Sequence, residues 1–314
     1  MSSGLRVLVT CRQMQNCIDE FLPRLRVHQL ELTMPEILQQ PTEDELIDMI
    51  GDFDGMIAGD DPLTARVLDH AKRMRIISKW GVGIDGIDLD AARANGIEVV
   101  NTPGVFGGEV ADIALGYVIM LARQLHRIDA SVKAGGWFKH EGISLEGKVL
   151  GVAGFGSIGQ SVGARGHGFS MEVVAHDISD AARSAAVAQG VAMVDRDQLF
   201  RMSDFLVLCS PLTPETLHMA KESTLGLMKQ GSFLVNVGRG PLVEEAALVQ
   251  ALESGDLAAA ALDVFEEEPL PASSELRRFE QCVFGSHNAS NTREGVLRTS
   301  ARAVENLLQG LGLT

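Results

Sequence analysis

The run Gly154-Phe155-Gly156-Ser157-Ile158-Gly159, with Asp177 standing eighteen residues past its last glycine, constrains this chain more than any other feature. Its surroundings read as strand, turn, helix and strand. Gly147 to Ala153 is short and apolar, Ile158 to Phe169 has helical character, and Glu172 to Ala175 is a second apolar run that ends just before Asp177. In such a unit the first glycine makes the tight turn, the second lets backbone amides approach a pyrophosphate, and the third lets helix pack on strand. The helix N-terminus then faces the phosphate charge, and a carboxylate at position 177 accepts from an adenosine ribose diol. A glycine triplet alone is weak in a chain with 33 glycines in 314 residues. The flanking pattern and the spacing to the acidic residue give it weight.

A chain of 314 residues exceeds one ordinary domain, and with 46% hydrophobic residues it has material for at least one large core, so two domains are expected. The formal net charge of −15 disfavours nucleic acid and anionic membrane as partners, and means that an anionic substrate must be held by local positive groups. Cys11, Cys17, Cys209 and Cys282 show no metal-ligand spacing. They read as buried reduced thiols, which points to the cytoplasm and to no metal site. Met1-Ser2-Ser3-Gly4-Leu5-Arg6 lacks the apolar core of a secretory leader, and the longest apolar run, Ile113 to Ala122, is too short to span a bilayer.

Ahead of the glycine run, Leu5–Thr10, Gly55–Ala58, Arg75–Lys79 and Ile97–Val100 read as strands separated by amphipathic stretches, which argues for a parallel sheet. Thr42-Glu43-Asp44-Glu45 is a capping box opening a helix that ends near Gly51. A long helical pattern from about Glu109 to Val132, closing at Gly135-Gly136, reads as an inter-domain connector. Beyond Asp177 the alternation resumes, with strands at Phe205–Cys209, Phe233–Val237 and Ala258–Leu262, helices near Glu222–Met228 and Glu244–Glu253, and a final helix from about Thr292 to Leu308.

Arg239, Glu268 and His287 each follow a strand or strand-like run, where ligands bind in open α/β sheets. Hydride transfer to or from a carbinol carbon needs a proton acceptor that works near neutral pH, and histidine suits that task. A neighbouring carboxylate would orient the ring and favour its charged form, and a guanidinium can grip a carboxylate and the adjacent carbonyl oxygen together. Singly, each residue has a plainer reading: a surface or core histidine, a solvated acidic loop, a helix cap. Their order along the chain and their local wording favour the joint one.

On these segments the chain resembles the D-isomer-specific 2-hydroxyacid dehydrogenases, most closely the short phosphoglycerate dehydrogenase-like members. The resemblance covers nearly the whole chain. It rests on Trp80-Gly81-Val82-Gly83-Ile84-Asp85-Gly86-Ile87-Asp88, the glycine run, Asn236 to Gly240, Ala261-Leu262-Asp263-Val264-Phe265 with Glu268-Pro269, and His287. It implies an α/β protein of two Rossmann-like or flavodoxin-like domains with parallel sheets and a cleft between them. Residues 1–101 and 285–314 would form a discontinuous substrate-binding domain and residues 102–284 the dinucleotide-binding Rossmann domain, with the linker helices as hinge. By the same resemblance His287 is the acid/base, Glu268 its partner and Arg239 the substrate clamp, while amides near Val82 and Gly83 hold the substrate carboxylate. Gly154, Gly156, Ser157, Ile158, Gly159, Asp177, Ser210, Val237, Asp263 and Ser290 fall at cofactor positions, and the cofactor implied is NAD. A homodimer through the nucleotide domain is also implied.

Two departures bear on substrate. Asn288-Ala289-Ser290-Asn291 stands where the family has an apolar residue and glycines, and Gly59-Asp60-Asp61 stands where phosphoglycerate dehydrogenases place a phosphate-binding arginine. Lys79 either supplies positive charge from the next strand end or is a solvated lysine beside a strand. With the chain stopping at Thr314, no appended regulatory module is expected. The function expected is NAD-dependent interconversion of a small 2-hydroxy acid and its 2-keto acid, with 3-phosphoglycerate, hydroxypyruvate and glyoxylate all open. An NAD(H)-sensing, corepressor-like binding protein is the alternative of another class.

Overall fold

The computed structural model describes residues 4–37 and 40–313. Met1-Ser2-Ser3, part of the segment read above for a leader, and Thr314, where the chain stops, lie outside the described residues. The chain divides into two compact units, Met1–Val105 with Asn291–Thr314, and Phe106–Ser290.

The first unit is built on five parallel strands, β1 (Arg6–Val9), β2 (Glu31–Thr33), β3 (Gly55–Ala58), β4 (Ile76–Lys79) and β5 (Glu98–Val100), in the order β2-β1-β3-β4-β5. Strands β3 and β4 are buried along their whole length, which is why their sequences are continuous apolar runs rather than alternations. The expected capping box is present: Glu45 N donates to Thr42 Oγ1 at 3.3 Å, and Thr42 N donates to Glu45 Oε2 at 2.8 Å. It opens the helix Glu43–Ile50, whose Leu46 and Ile50 join Leu8, Met56 and Ile77 in the core. Such a cap is worth about 1 kcal/mol. The last helix, Arg293–Gly310, returns to this unit. It buries Val304, Leu307 and Leu308, and it is tied to β4 and the following residue by Ser78 Oγ donating to Ala303 O at 2.9 Å and Trp80 Nε1 donating to Ser300 Oγ at 3.0 Å.

The second unit has seven parallel strands: β6 (Val149–Ala153), β7 (Glu172–His176), β8 (Ala192–Met193), β9 (Phe205–Leu208), β10 (Ser232–Asn236), β11 (Leu257–Leu262) and β12 (Val283–Phe284). Their order is β12-β11-β10-β9-β6-β7-β8, so the chain reverses its direction of travel across the sheet between β6 and β9. Brief edge strands escape sequence reading: β2 has three residues, and β8 and β12 two each.

The long helix read over Glu109–Val132 is two helices, Gly107–Arg123 and Leu125–Lys133, broken at Gln124 with φ +52°. A left-handed residue ends a helix while leaving the apolar spacing nearly in phase, so the pattern does not betray the break. The first of the pair is no free connector. It belongs to the second unit, burying Val110, Ala114, Leu115, Val118 and Leu121 and packing on the helix Ser157–Gly168 and on β10 and β11. The cysteine expectation also needs correction: Cys11 and Cys282 are buried, but Cys17 and Cys209 are half-buried, and all four are free thiols. Among the described residues no helix is long and apolar enough to cross a membrane.

Candidate active site

Strand β6 ends at Ala153 and the chain turns through Gly154 at φ +88°. The helix Ser157–Gly168 starts at once behind its N-cap Gly156, and no side chain caps it. The amides of Ser157, Ile158 and Gly159 in its first turn therefore lack an intrahelical acceptor. A Cβ on Gly159 would collide with Gly154 O, whereas a Cβ on Gly156 would meet nothing within 4 Å. The third glycine is thus a packing requirement, and the second opens space in front of uncompensated amides. That cradle suits a pyrophosphate, and it is the structural feature that fits NAD.

Asp177 follows β7. Its Oδ2 accepts from Phe155 N at 2.7 Å and its Oδ1 from Ser179 N at 2.8 Å, so it braces the glycine loop from behind. Each carboxylate oxygen has two lone pairs, which leaves acceptor capacity for ribose hydroxyls. Ser210, just past β9, packs on the turn so closely that a Cβ on Gly154 would lie 2.8 Å from Ser210 Cα. Val237, just past β10, is buried, with its amide donating to Leu208 O at 3.2 Å. These residues surround the β6/β9 reversal, where a doubly wound sheet opens its ligand crevice.

His287 follows β12 at the same end of this sheet. Its backbone is set by Asp263, buried just past β11. Asp263 O accepts from His287 N at 2.7 Å, its Oδ1 from Asn288 N at 3.2 Å and its Oδ2 from Ala289 N at 2.8 Å. Three successive amides converge on one aspartate and hold His287 at φ +54°. A left-handed non-glycine residue costs about 1–2 kcal/mol, which the three hydrogen bonds offset. Tyr117, the single tyrosine of the chain, donates its hydroxyl to Asp263 Oδ1 at 3.2 Å. Burial raises its pKa, and the Asp263 charge and hydrogen bond act in the same direction, so the phenol stays a donor.

His287 Nδ1 lies 2.8 Å from Glu268 Oε2, while Glu268 Oε1 accepts from Phe265 N at 2.9 Å. The carboxylate is therefore fixed from its own loop before it meets the ring. Ser290, read as a cofactor contact, ends the same segment half-buried, three residues past the imidazole.

Arg239 follows β10. Asn236 shapes its turn, with Nδ2 donating to Arg239 O at 2.8 Å and Oδ1 accepting from Gly238 N at 3.1 Å, and Arg239 Nη1 donates to Gly238 O at 2.9 Å. The next residue binds this turn to the Glu268 loop, because Gly240 runs so close to the Phe265 backbone that a Cβ would collide with Phe265 O. A second bridge joins the same two segments. His218 N donates to Pro241 O at 2.8 Å, and His218 Nε2 lies 2.7 Å from Glu266 Oε1. Tyr117, His218 and Glu266 were not singled out from sequence. Tyr117 lies in a helix read only as a connector, and nothing local marks the other two as partners.

In the first unit, Lys79 is neither solvated nor available as a bare cation. It is 5% exposed, and its ammonium donates to Asp60 Oδ1 at 3.0 Å and to Trp80 O at 2.9 Å. The amides of Val82 and Gly83 donate to no acceptor among the described residues. Asp61 is buried, with its Oδ2 accepting from Thr10 Oγ1 at 2.5 Å and Gly59 N at 2.8 Å. Burial pushes its pKa up to about 6 against the lowering effects of Thr10 and Lys79, so it is mostly ionised at neutral pH. Among the described residues no group of three or more His, Cys, Asp or Glu side chains could hold a metal ion.

Comparison with known proteins agrees with this geometry. Residues 115–289 match the family model for the NAD binding domain of D-isomer specific 2-hydroxyacid dehydrogenases. The chain is 36% identical over 304 residues to a hydroxypyruvate reductase of Thermotoga maritima, covering 94% of this chain and 96% of that protein. It is 37% identical over 263 residues to a D-3-phosphoglycerate dehydrogenase of Methanocaldococcus jannaschii, covering 82% of this chain but only 50% of that longer protein. A crystal structure of D-lactate dehydrogenase from Aquifex aeolicus, complexed with NAD and lactic acid, superposes with a TM-score of 0.84 at 26% identity, covering 98% of this chain and 96% of the other. The chain belongs to the D-isomer specific 2-hydroxyacid dehydrogenase family, and it is an NAD-dependent oxidoreductase acting on CH–OH groups.

Proposed function

We propose that this enzyme reduces small 2-keto acids to D-2-hydroxy acids and catalyses the reverse oxidation, with His287 as acid/base, Glu268 as its partner and Arg239 as the substrate clamp. The observation that carries this reading is the 2.8 Å contact between His287 Nδ1 and Glu268 Oε2 at the carboxyl end of the glycine-loop sheet. The nicotinamide cofactor, when bound, would supply the hydride in its reduced form and accept it in its oxidised form. With Nδ1 engaged by the carboxylate, proton exchange with substrate belongs to Nε2 of His287. In reduction the imidazolium delivers its proton to the carbonyl oxygen, and in oxidation the neutral ring takes the hydroxyl proton. Arg239 holds the substrate carboxylate and stabilises negative charge developing on the carbonyl oxygen. Val82 and Gly83 are proposed to bind substrate through their backbone amides, whereas Lys79, also read as a substrate contact, is already engaged by Asp60 and Trp80 O.

Glu268 favours the charged ring, so the neutral isostere Glu268→Gln removes that preference and shifts the basic limb of the reduction profile to lower pH. A profile of kcat/KM against pH checks this, and an unmoved limb removes Glu268 from the role.

The Asp177 carboxylate accepts from ribose hydroxyls but repels a 2′-phosphate, so NADH is expected to bind at least about tenfold more tightly than NADPH. Fluorescence titration with both cofactors measures the ratio. Equal affinities would mean that another group, with Arg183 the nearest candidate in sequence, neutralises the phosphate.

The enzyme is further proposed to work as a cytoplasmic homodimer joined through the second unit. The helix Leu125–Lys133 has no buried residue, and the segment that follows leaves Trp137 79% exposed. With Leu125, Val132 and Phe138 also exposed, this is an apolar surface of the kind that marks an interface. Light scattering should give twice the chain mass, and Val132→Asp with Trp137→Ser should give one chain mass. A monomeric wild type would refute the assignment.

A further inference from the structure

Strand β12 has only two residues, and after it Ser286, His287, Asn288 and Ala289 run on with no strand to carry them. Gly285 N makes the last bond along the sheet, donating to Leu262 O at 2.8 Å. From there the segment is referenced to one residue. The backbone carbonyl of Asp263 takes His287 N, and its carboxylate takes Asn288 N and Ala289 N. A carboxylate on a single methylene can turn about its Cα–Cβ bond, so the place of the His287 ring depends on what fixes the Asp263 side chain.

Asp263 is 2% exposed, and two of the three donors to its carboxylate, Asn288 N and Ala289 N, belong to the very segment it holds. The third is the Tyr117 hydroxyl, 3.2 Å from Oδ1. Among the described residues, Tyr117 is the one donor to this carboxylate from outside that segment. It comes from the helix Gly107–Arg123, which packs on β10 and β11 and buries Ala114, Leu115 and Val118 around it. Gly285 is shaped to this contact: a Cβ there would collide with both Asp263 Oδ1 and Tyr117 Oη, so a side chain at 285 would force the hydroxyl and the carboxylate apart. Without the hydroxyl, a buried carboxylate oxygen is one donor short, and carboxylate and segment can turn together. That relaxation has a direction, because His287 sits at φ +54° and gains by returning to ordinary backbone angles.

We infer that Tyr117 is a positioning residue for proton transfer: acting through Asp263, its hydroxyl fixes the segment that presents the His287 ring. The inference rests on the reading of His287 as acid/base given above.

Tyr117→Phe deletes one oxygen and keeps the ring. It should lower kcat about tenfold and change KM for the keto acid by less than about twofold, because a misplaced acid/base slows proton transfer without altering how Arg239 grips substrate. In the His287→Asn background the same substitution should leave the residual turnover unchanged to within about twofold, since the group it positions is already gone. A residue that merely supports the fold would lower both enzymes by the same factor. A second measurement needs no variant. Tyr117 is the one tyrosine of the chain, so tyrosinate absorbance reports it alone, and the wild type should show no ionisation at about pH 10, where an ordinary tyrosine is half ionised. Wild-type kcat in Tyr117→Phe, an equal loss in the two backgrounds, or a phenol half ionised at about pH 10 overturns the inference and leaves the dehydrogenase reading standing. Undiminished turnover in His287→Asn overturns the acid/base reading, and this inference with it.

Discussion

His287→Asn is expected to lower kcat about a thousandfold while NADH binds as before. Asparagine is the informative replacement because it tolerates the left-handed backbone that Asp263 imposes at this position, with φ +54°. The three amides of residues 287–289 can stay on Asp263, so the loop keeps its shape and only the proton-transfer group is lost. The glycine loop is a separate element, following β6 rather than β12, and cofactor affinity is expected to be unchanged. Steady-state rates with a keto acid, alongside NADH titration by fluorescence, separate the two quantities. Retained turnover would place the proton elsewhere, and lost NADH binding would mean that the variant disturbed the sheet.

Arg239→Gln is expected to reduce kcat/KM for the keto acid by about a hundred- to a thousandfold. Glutamine keeps much of the stem but has no charge and cannot present the two-pronged guanidinium face to a carboxylate and carbonyl oxygen. The turn itself is secured by Asn236, which holds Arg239 O and Gly238 N through its side chain, so the backbone should not follow the substitution. Arg239→Lys should recover only part of the loss, because an ammonium restores charge without the fork. Full activity in the lysine variant would reduce the role of Arg239 to charge alone.

Much of this site was legible in the sequence because its parts sit at strand ends, and buried parallel strands announce themselves as apolar runs. The β6–turn–helix–β7 unit was readable from three glycines and an aspartate, and β9, β10 and β11 from their continuous hydrophobicity. The break at Gln124 was not, since a single left-handed residue leaves the helical spacing of its neighbours nearly intact. The edge strands β2, β8 and β12 left no pattern, whereas the equally short edge strand β5 was read from the run Ile97–Val100. The supports of the site were also hidden. Tyr117 reaches Asp263 across 146 residues and His218 reaches Glu266 across 48, and no local periodicity encodes such pairings. Lys79 shows the same limit, for a lysine at a strand end reads equally as a substrate cation or as a solvated side chain until the fold places Asp60 and Trp80 O around it.

The configuration of the product tests the central claim most directly. Incubated with NADH and hydroxypyruvate, the wild-type enzyme should consume NADH and yield glyceric acid of the D configuration, resolved by chiral chromatography. The L acid, or no NADH consumption with hydroxypyruvate, glyoxylate or pyruvate, would contradict an acid/base at His287 acting beside a dinucleotide on this sheet.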